Sequence, residues 1–169
     1  MKKSIIHIVL PLLTLTSMVA IFIFSAQDAE HSSGISGELI RSFARIFVPD
    51  FNNMTVQEQL QLIGSWQHTV RKNAHFFAYF LLGILTMATV SLTKMKIKSP
   101  ILTAFAVVFF YAVSDEIHQI FVPGRAAMVN DVVIDAAGAA LGILVVISVR
   151  FIIGKTKTGS SKADIEGKR

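Results

Sequence analysis

The sequence predicts an all-α polytopic membrane protein, with four transmembrane helices and an outer amphipathic helical segment between the first and the second. Three observations carry that expectation. Four apolar stretches, at residues 5–24, 74–93, 100–120 and 132–153, each approach the roughly 20 residues a helix needs to cross hydrocarbon. Of 169 residues, 53% are hydrophobic and the mean hydropathy is +0.60, too little polar surface for an ordinary soluble domain. The charged residues, finally, sort into two groups that alternate between the stretches. Residues 1–153 read as one membrane domain and 154–169 as a polar cytoplasmic tail.

Lys2 and Lys3 precede the first stretch as the positive region of a signal sequence would. The apolar run is longer than a cleavable signal's, and "FIFSAQDAE" offers no A-x-A site, so the segment reads as a retained signal anchor. Pro11 removes an amide donor and marks either a kink or a first-turn boundary. Residues 25–72 form the outer segment. In "SGELIRSFARIFVP", Leu39, Ile40, Phe43, Ala44 and Phe47 recur at helical spacing with Arg41 and Arg45 opposite, the pattern of a helix lying in the interface, and Pro49 ends it. "TVQE" then supplies Thr55 as N-cap and Glu58 at N3. This capping box opens a second outer helix, with Val56, Leu60, Ile63 and Val70 on one stripe, that runs to Arg71. Trp66 suits an interfacial anchor. Transmembrane helix two follows with "VRKNAHFFAYF", and its Gly83 and Ser91 read as ordinary small helix residues. No internal repeat is present. The tail "KTKTGSSKADIEGKR" is polar and reads as disordered. With no cysteine there is no disulfide framework, thiol chemistry or thiolate metal site.

A net charge of +5 raises nucleic acid as a partner, and the placement of the charges removes it. If the helices alternate, Lys2, Lys3, Lys94, Lys96, Lys98, Arg150, Lys155, Lys157, Lys162, Lys168 and Arg169 share one side. Those eleven basic residues meet only Asp164 and Glu166 there, a net of +9. The other side has Arg41, Arg45, Arg71, Lys72 and Arg125 against nine acids, a net of −4. By the positive-inside rule both termini and the "KMKIK" loop are cytoplasmic. The basic excess is topogenic, and no nucleic acid is expected.

The outer charges converge. Helix three leaves the membrane at Asp115, Glu116, His118 and Gln119, the turn "FVPGR" carries Arg125, and helix four enters with Asp131 and Asp135. Helix two brings Arg71, Lys72, His75 and Tyr79 to the same face. Asp131, Asp135, Gly138 and Gly142 form one stripe, with Asp135 about 6 Å deeper than Asp131. The G-x-x-x-G spacing lets another backbone approach, in this chain or in a dimer. Asp115, His118 and Gln119 share a face while Glu116 points elsewhere; Arg71, His75 and Tyr79 stack on one side of helix two. A charge at a helix centre costs about 2.5–3.5 kcal/mol on insertion scales, so these stripes are expected to face one another or a hydrated pocket. His7 reads as interfacial, and His31 and His68 as solvated.

"FSAQ" after helix one, "RKNAHFFAYFLLG" in helix two and "DEIHQIFVPGRAAMVNDVVIDAAGAALG" together resemble the signature of VanZ-like membrane proteins. The namesake of that family is associated with resistance to the glycopeptide teicoplanin. The resemblance covers about residues 20–150, and three motifs in order make it specific. It implies a multi-pass protein of the bacterial cell membrane with an envelope role, and it supplies no reaction. The family pattern carries over to Arg71, Lys72, His75, Tyr79, Asp115, Glu116, His118, Gln119, Arg125, Asp131 and Gly138. Ala26 stands where "FSSQ" is frequent, and Asp135 where many relatives have asparagine, which adds a negative charge to the site.

Four readings of the cluster stay open. Arg71, Lys72 and Arg125 can hold phosphate or carboxylate while Gln119 and the acids accept hydroxyl or amine donors. The ligand would then be a lipid headgroup, a lipid-linked cell-wall precursor or a glycopeptide. In a structural reading, Arg71 or Arg125 pairs with Asp131 or Asp135 and ties helix ends together, for which exposed pairs give only about 0–1 kcal/mol. In a catalytic reading, a hydrolase or transferase, His75 or His118 serves as general base with Asp115 or Asp131 orienting it and an Arg stabilising developing charge. The same histidines with Asp115, Glu116, Asp131 or Asp135 can hold a divalent metal such as Zn²⁺, but no H-E-x-x-H signature or nucleophile motif is present. A small transporter is the fourth reading, although the cluster lies at one face rather than at the midplane. The sequence requires no cofactor and encodes no oligomeric state.

Overall fold

The structure, a computed structural model, describes residues 2–27, 29–93, 99–125 and 127–166, without the side chains of 2–4, 29–33, 35–36 and 156–166. The "KMKIK" loop, Asp28, Lys168 and Arg169 therefore lie outside the described residues, as do the side chains of Lys2, Lys3, Glu30, His31 and the charged tail. Among the described residues there are five α-helices and no strand. They are α1 (Lys2–Ser25), α2 (Ala29–Phe47), α3 (Val56–Leu92), α4 (Pro100–Gln119) and α5 (Val129–Glu166), with a 3-10 turn at Phe51–Asn53.

Helices α1, α3, α4 and α5 each contain a stretch apolar and long enough to cross a membrane. Their outward faces carry Ile8, Leu102, Phe110 and Leu144, all more than half exposed. In water such faces would drive aggregation; in a bilayer they are the solvated surface, and the helices keep every backbone hydrogen bond internal. The chain is a multi-pass membrane protein.

Helix α2 is amphipathic. Ile40 and Ala44 pack on Phe51 and Ile63, while Leu39, Phe43, Ile46 and Phe47 stay exposed. It stops at Phe47, two residues before Pro49, and Asp50 turns the chain with a left-handed φ of 59°. Thr55 then caps α3. Its hydroxyl accepts from the Glu58 amide at 3.4 Å, and the Glu58 carboxylate accepts from the Thr55 amide at 2.8 Å.

Two expectations need correction. The second outer helix and transmembrane helix two are one element, the 37-residue α3, because "TVRKNAHFF" contains neither Gly nor Pro to end a helix. At 1.5 Å per residue α3 is about 55 Å long, well beyond the roughly 30 Å of hydrocarbon, so its first half stands clear. Likewise the tail read as disordered continues α5 to Glu166, since an established helix propagates at one hydrogen bond per residue until something stops it.

The bundle is organised by contact between α3 and α5. A methyl on Gly138 would strike the Phe76 carbonyl, and one on Gly142 the Phe80 carbonyl, 3.0 Å from the Ile84 amide. Gly83, read from sequence as an ordinary small residue, is the third member: a Cβ there would lie 2.9 Å from the Ala139 Cα. The G-x-x-x-G stripe thus packs within the chain. Tyr79, Leu82, Val108, Ala112 and Ala139 fill the centre, with Ile21 of α1 against them. Polar side chains join α1 to its neighbours. Tyr111 donates to the Met18 carbonyl at 2.6 Å, and the hydroxyls of Thr14 and Thr89 meet at 2.9 Å.

Gly142→Ala should destabilise the purified protein by about 1–3 kcal/mol, the usual cost of overpacking. Gly64→Ala, at a helical glycine with open space around it, should stabilise by about 0.5–1 kcal/mol. Thermal unfolding in detergent, followed by the fluorescence of the single Trp66, should therefore move in opposite directions for the two variants.

Candidate functional site

The polar stripes meet at the end of the bundle reached by the C-terminus of α1 and the N-terminus of α5. One cavity there collects Arg71, Lys72 and His75 of α3, Glu116 and Gln119 of α4, the turn residue Arg125, and Asp131, Ile134 and Asp135 of α5. Its volume, about 10 Å³, is close to the least that holds one water. Three cations and three carboxylates face each other in that space.

Why these side chains converge follows from the helix packing. Lys72, His75, Phe76, Tyr79 and Gly83 occupy successive turns of one face of α3, and the face is held on Gly138, Ala139 and Gly142. One to two turns above that contact, Lys72 Nζ lies 2.9 Å from Asp131 Oδ1, and His75 Nδ1 lies 3.7 Å from Asp135 Oδ2. The latter is an ion-pair separation if the imidazole is protonated, and it exceeds hydrogen-bond length. Among the described residues it is Lys72, and not Arg71, that pairs with Asp131. Lys72 and His75 lie on the face turned to α5. The Arg71 guanidinium contacts the His68 ring at 3.4 Å and makes no carboxylate ion pair among the described residues.

Burial is strongest for the acids. Asp135 is completely buried, and neither of its oxygens has a hydrogen bond among the described residues. Glu116, also buried, accepts from the Met128 amide at 3.0 Å. Glu116 reaches the cavity, whereas Asp115 and His118 do not line it. Adjacent residues on a helix diverge by about 100°, so α4 presents Glu116 to α3 and α5 while Asp115 turns to α1.

That second group packs against α1. Ser25, at the end of α1, donates to Asp115 Oδ2 at 2.8 Å, and Gln119 Nε2 lies 3.5 Å from the same oxygen. His118 stacks on Phe22, with ring centroids 4.3 Å apart. Tyr79 is fully buried between the two groups, its ring 6.4 Å from His75 and 6.1 Å from Tyr111. Arg125 closes the site from the turn, its Nε donating to the Gln27 carbonyl at 2.9 Å.

Sequence reasoning therefore gathered the right helix ends but missed Ser25, Gln27 and Ile134. The "FSAQ" motif contained the signal for the first two, since a hydroxyl and a polar residue directly after an apolar helix are well placed to serve groups in the headgroup region. Ile134 belongs to no polar pattern. No group of three or more metal-ligating His, Asp or Glu side chains occurs among the described residues.

Ser25→Ala should remove the one short hydrogen bond to a carboxylate that is only 2% exposed. The expected loss is about 1–3 kcal/mol of stability, the cost of leaving a buried acceptor unsatisfied. Combined with Asp115→Asn the loss should be smaller than the sum of the two, a non-additivity that denaturation of the four proteins of the cycle measures.

The family model VanZ/LLP1 matches residues 10–152. No curated protein and no solved structure matches the chain.

Proposed function

The chain belongs to the VanZ/LLP1 family, and from that premise we propose that the charged cavity binds the headgroup of an outer-leaflet lipid or lipid-linked cell-envelope molecule. The observation that carries this reading is the convergence of Arg71, Lys72 and Arg125 with Glu116, Asp131 and Asp135 around one space at a helix-bundle end. Docking two helices would need a single ion pair. The cavity has room for about one water, so a headgroup sits at its mouth. Arg71, which makes no carboxylate ion pair among the described residues, is the residue placed to take phosphate or carboxylate as a forked donor. Glu116 and Asp131, at the cavity wall, accept from hydroxyl or ammonium groups of the same head. In this reading the cavity is extracytoplasmic and both termini are cytoplasmic, supported by the +9 and −4 charge distribution of the sequence. Binding there changes how a glycopeptide such as teicoplanin meets its envelope target.

A catalytic reading has one specific observation in its favour. His75 faces a wholly buried Asp135, the arrangement that orients an imidazole as general base. A hydrolase or transferase would use the same headgroup site.

Native mass spectrometry of the protein extracted gently from its own membrane tests both. A defined lipid retained by the intact protein and lost about 10–100-fold in Arg71→Ala, the effect of one charge-assisted hydrogen bond, supports the binding site. Equal retention of bulk lipid by both proteins overturns it. A retained lipid that is cleaved or modified on incubation moves the conclusion to catalysis. Orientation is tested separately in this cysteine-free chain. Asn53→Cys should label with an impermeant thiol reagent from outside intact cells, and Lys96→Cys only after lysis.

A further inference from the structure

A second cavity, of about 240 Å³, opens between α1 and α3. Its walls are apolar: Ala20, Ile21 and Phe24 on one helix, and Ala74, Ala78 and Leu81 on the other. Small residues make the space, because alanine at 20, 74 and 78 leaves the two helices unfilled between larger neighbours. Phe24 and Leu81 are 65% and 51% exposed, so the groove opens sideways onto the lipid-facing surface. Along α1 it extends from Ser17 to Ser25, about 12 Å at helical rise.

The ends of the groove differ. At the deep end the Ser17 hydroxyl is satisfied by the Thr14 carbonyl at 2.9 Å, which leaves an apolar floor. At the shallow end stand Ser25, committed to Asp115, and His75. His75 lines both this groove and the charged cavity, with its Nδ1 towards Asp135. Polarity therefore rises from lipid-exposed hydrocarbon, past one imidazole that lines both spaces, to a cluster of six charged groups. That is the polarity profile of an amphiphile held at membrane depth: a chain in the apolar slot and a head among the charges.

We propose that the groove between α1 and α3 holds a hydrocarbon chain of the molecule whose headgroup sits at the mouth of the charged cavity, with His75 at the junction of chain and head. This rests on the headgroup reading of the cavity and specifies its ligand as a lipid that enters sideways from the bilayer. A water-soluble ligand would leave the groove without a role. Ala20 and Ala78 set the room available to the chain, so they determine which chains fit.

The test uses the full-length protein in vesicles of phosphatidylethanolamine and phosphatidylglycerol. A fraction of the phosphatidylglycerol carries a diazirine midway along one acyl chain. After illumination, adducts mapped by peptide mass spectrometry should concentrate on residues 17–25 and 74–81. The expected excess is about tenfold over the outward faces bearing Phe110 and Leu144, as a preference of that size in binding would give. Ala78→Phe should reduce the excess to background. Because Ala78 also packs against the core, Ala20→Leu provides a second filled groove, and thermal unfolding verifies that both variants are folded. Adducts spread evenly around the bundle, or unchanged in both filled variants, would overturn the groove site. The two readings fail separately. Even adducts with phosphatidylglycerol retention still lost in Arg71→Ala would leave the cavity reading standing. Groove adducts with retention indifferent to Arg71→Ala would support the chain site and overturn the cavity as its head site.

Discussion

The backbone approach of α3 to α5 is the constraint on which the rest of the structure depends. Within a bilayer, lipid tails are as apolar as leucine, so helices associate through close packing and polar contacts rather than through the hydrophobic effect. Gly83, Gly138 and Gly142 supply that packing by removing the three side chains that would hold the helices apart. The charged cavity inherits its geometry from this contact. Lys72 reaches Asp131 at 2.9 Å because α3 and α5 are already locked together one to two turns deeper. Moving the helices apart by the radius of a methyl group would take the pair beyond the roughly 4 Å of an ion pair.

Burying carboxylates so close together has a cost that the fold divides. Asp115 and Glu116 are neighbours in sequence and meet different partners, one bonded to Ser25 and the other to the Met128 amide. Asp135 has His75 in place of a hydrogen-bond donor at short range. Each acid therefore meets a different partner type: a hydroxyl, a backbone amide, an imidazole. Removing one partner leaves a single unsatisfied group instead of collapsing a shared network. Within the charged cavity the formal charges balance, three against three. Any ligand must compete with pairs already made, so geometry rather than bulk charge decides what binds.

Much of this was visible in the sequence because a bilayer imposes strong rules. Apolar length, the Thr55–Glu58 capping box and the i, i+4 stripe of Asp131 and Asp135 each follow from one local requirement. The misses came where the outcome depends on neighbours. Whether helix α3 breaks near residue 72 is a tertiary matter once no Gly or Pro is present, and charged residues there looked like a boundary. Gly83 has nothing in its own helix to distinguish it, since its role is set by Ala139 across the interface. The choice of Lys72 over Arg71 as the partner of Asp131 turns on which face of α3 meets α5. That Asp115 and Glu116 diverge on α4 is local geometry, but which of them meets α3 and α5 is set by the packing of the bundle.

The unbroken α3 also changes how the site can recognise an anion. A helix starting near residue 74 would have aimed free backbone amides at the cavity, a ready phosphate cradle. The real N-terminus at Val56 lies fifteen residues before Arg71, about 22 Å away along the axis, and its amides are capped by Thr55 and Glu58. The one helix N-terminus at the cavity belongs to α5, where Asp131 already occupies the first turn and the preceding Met128 amide is taken by Glu116. Of the backbone amides there, that of Met128 is committed to the Glu116 carboxylate and that of Asp131 to the Met128 carbonyl. In the proposed headgroup reading an anion is therefore met by side chains, and Arg71, in the middle of a hydrogen-bonded helix, has both the charge and the rigid mounting for it.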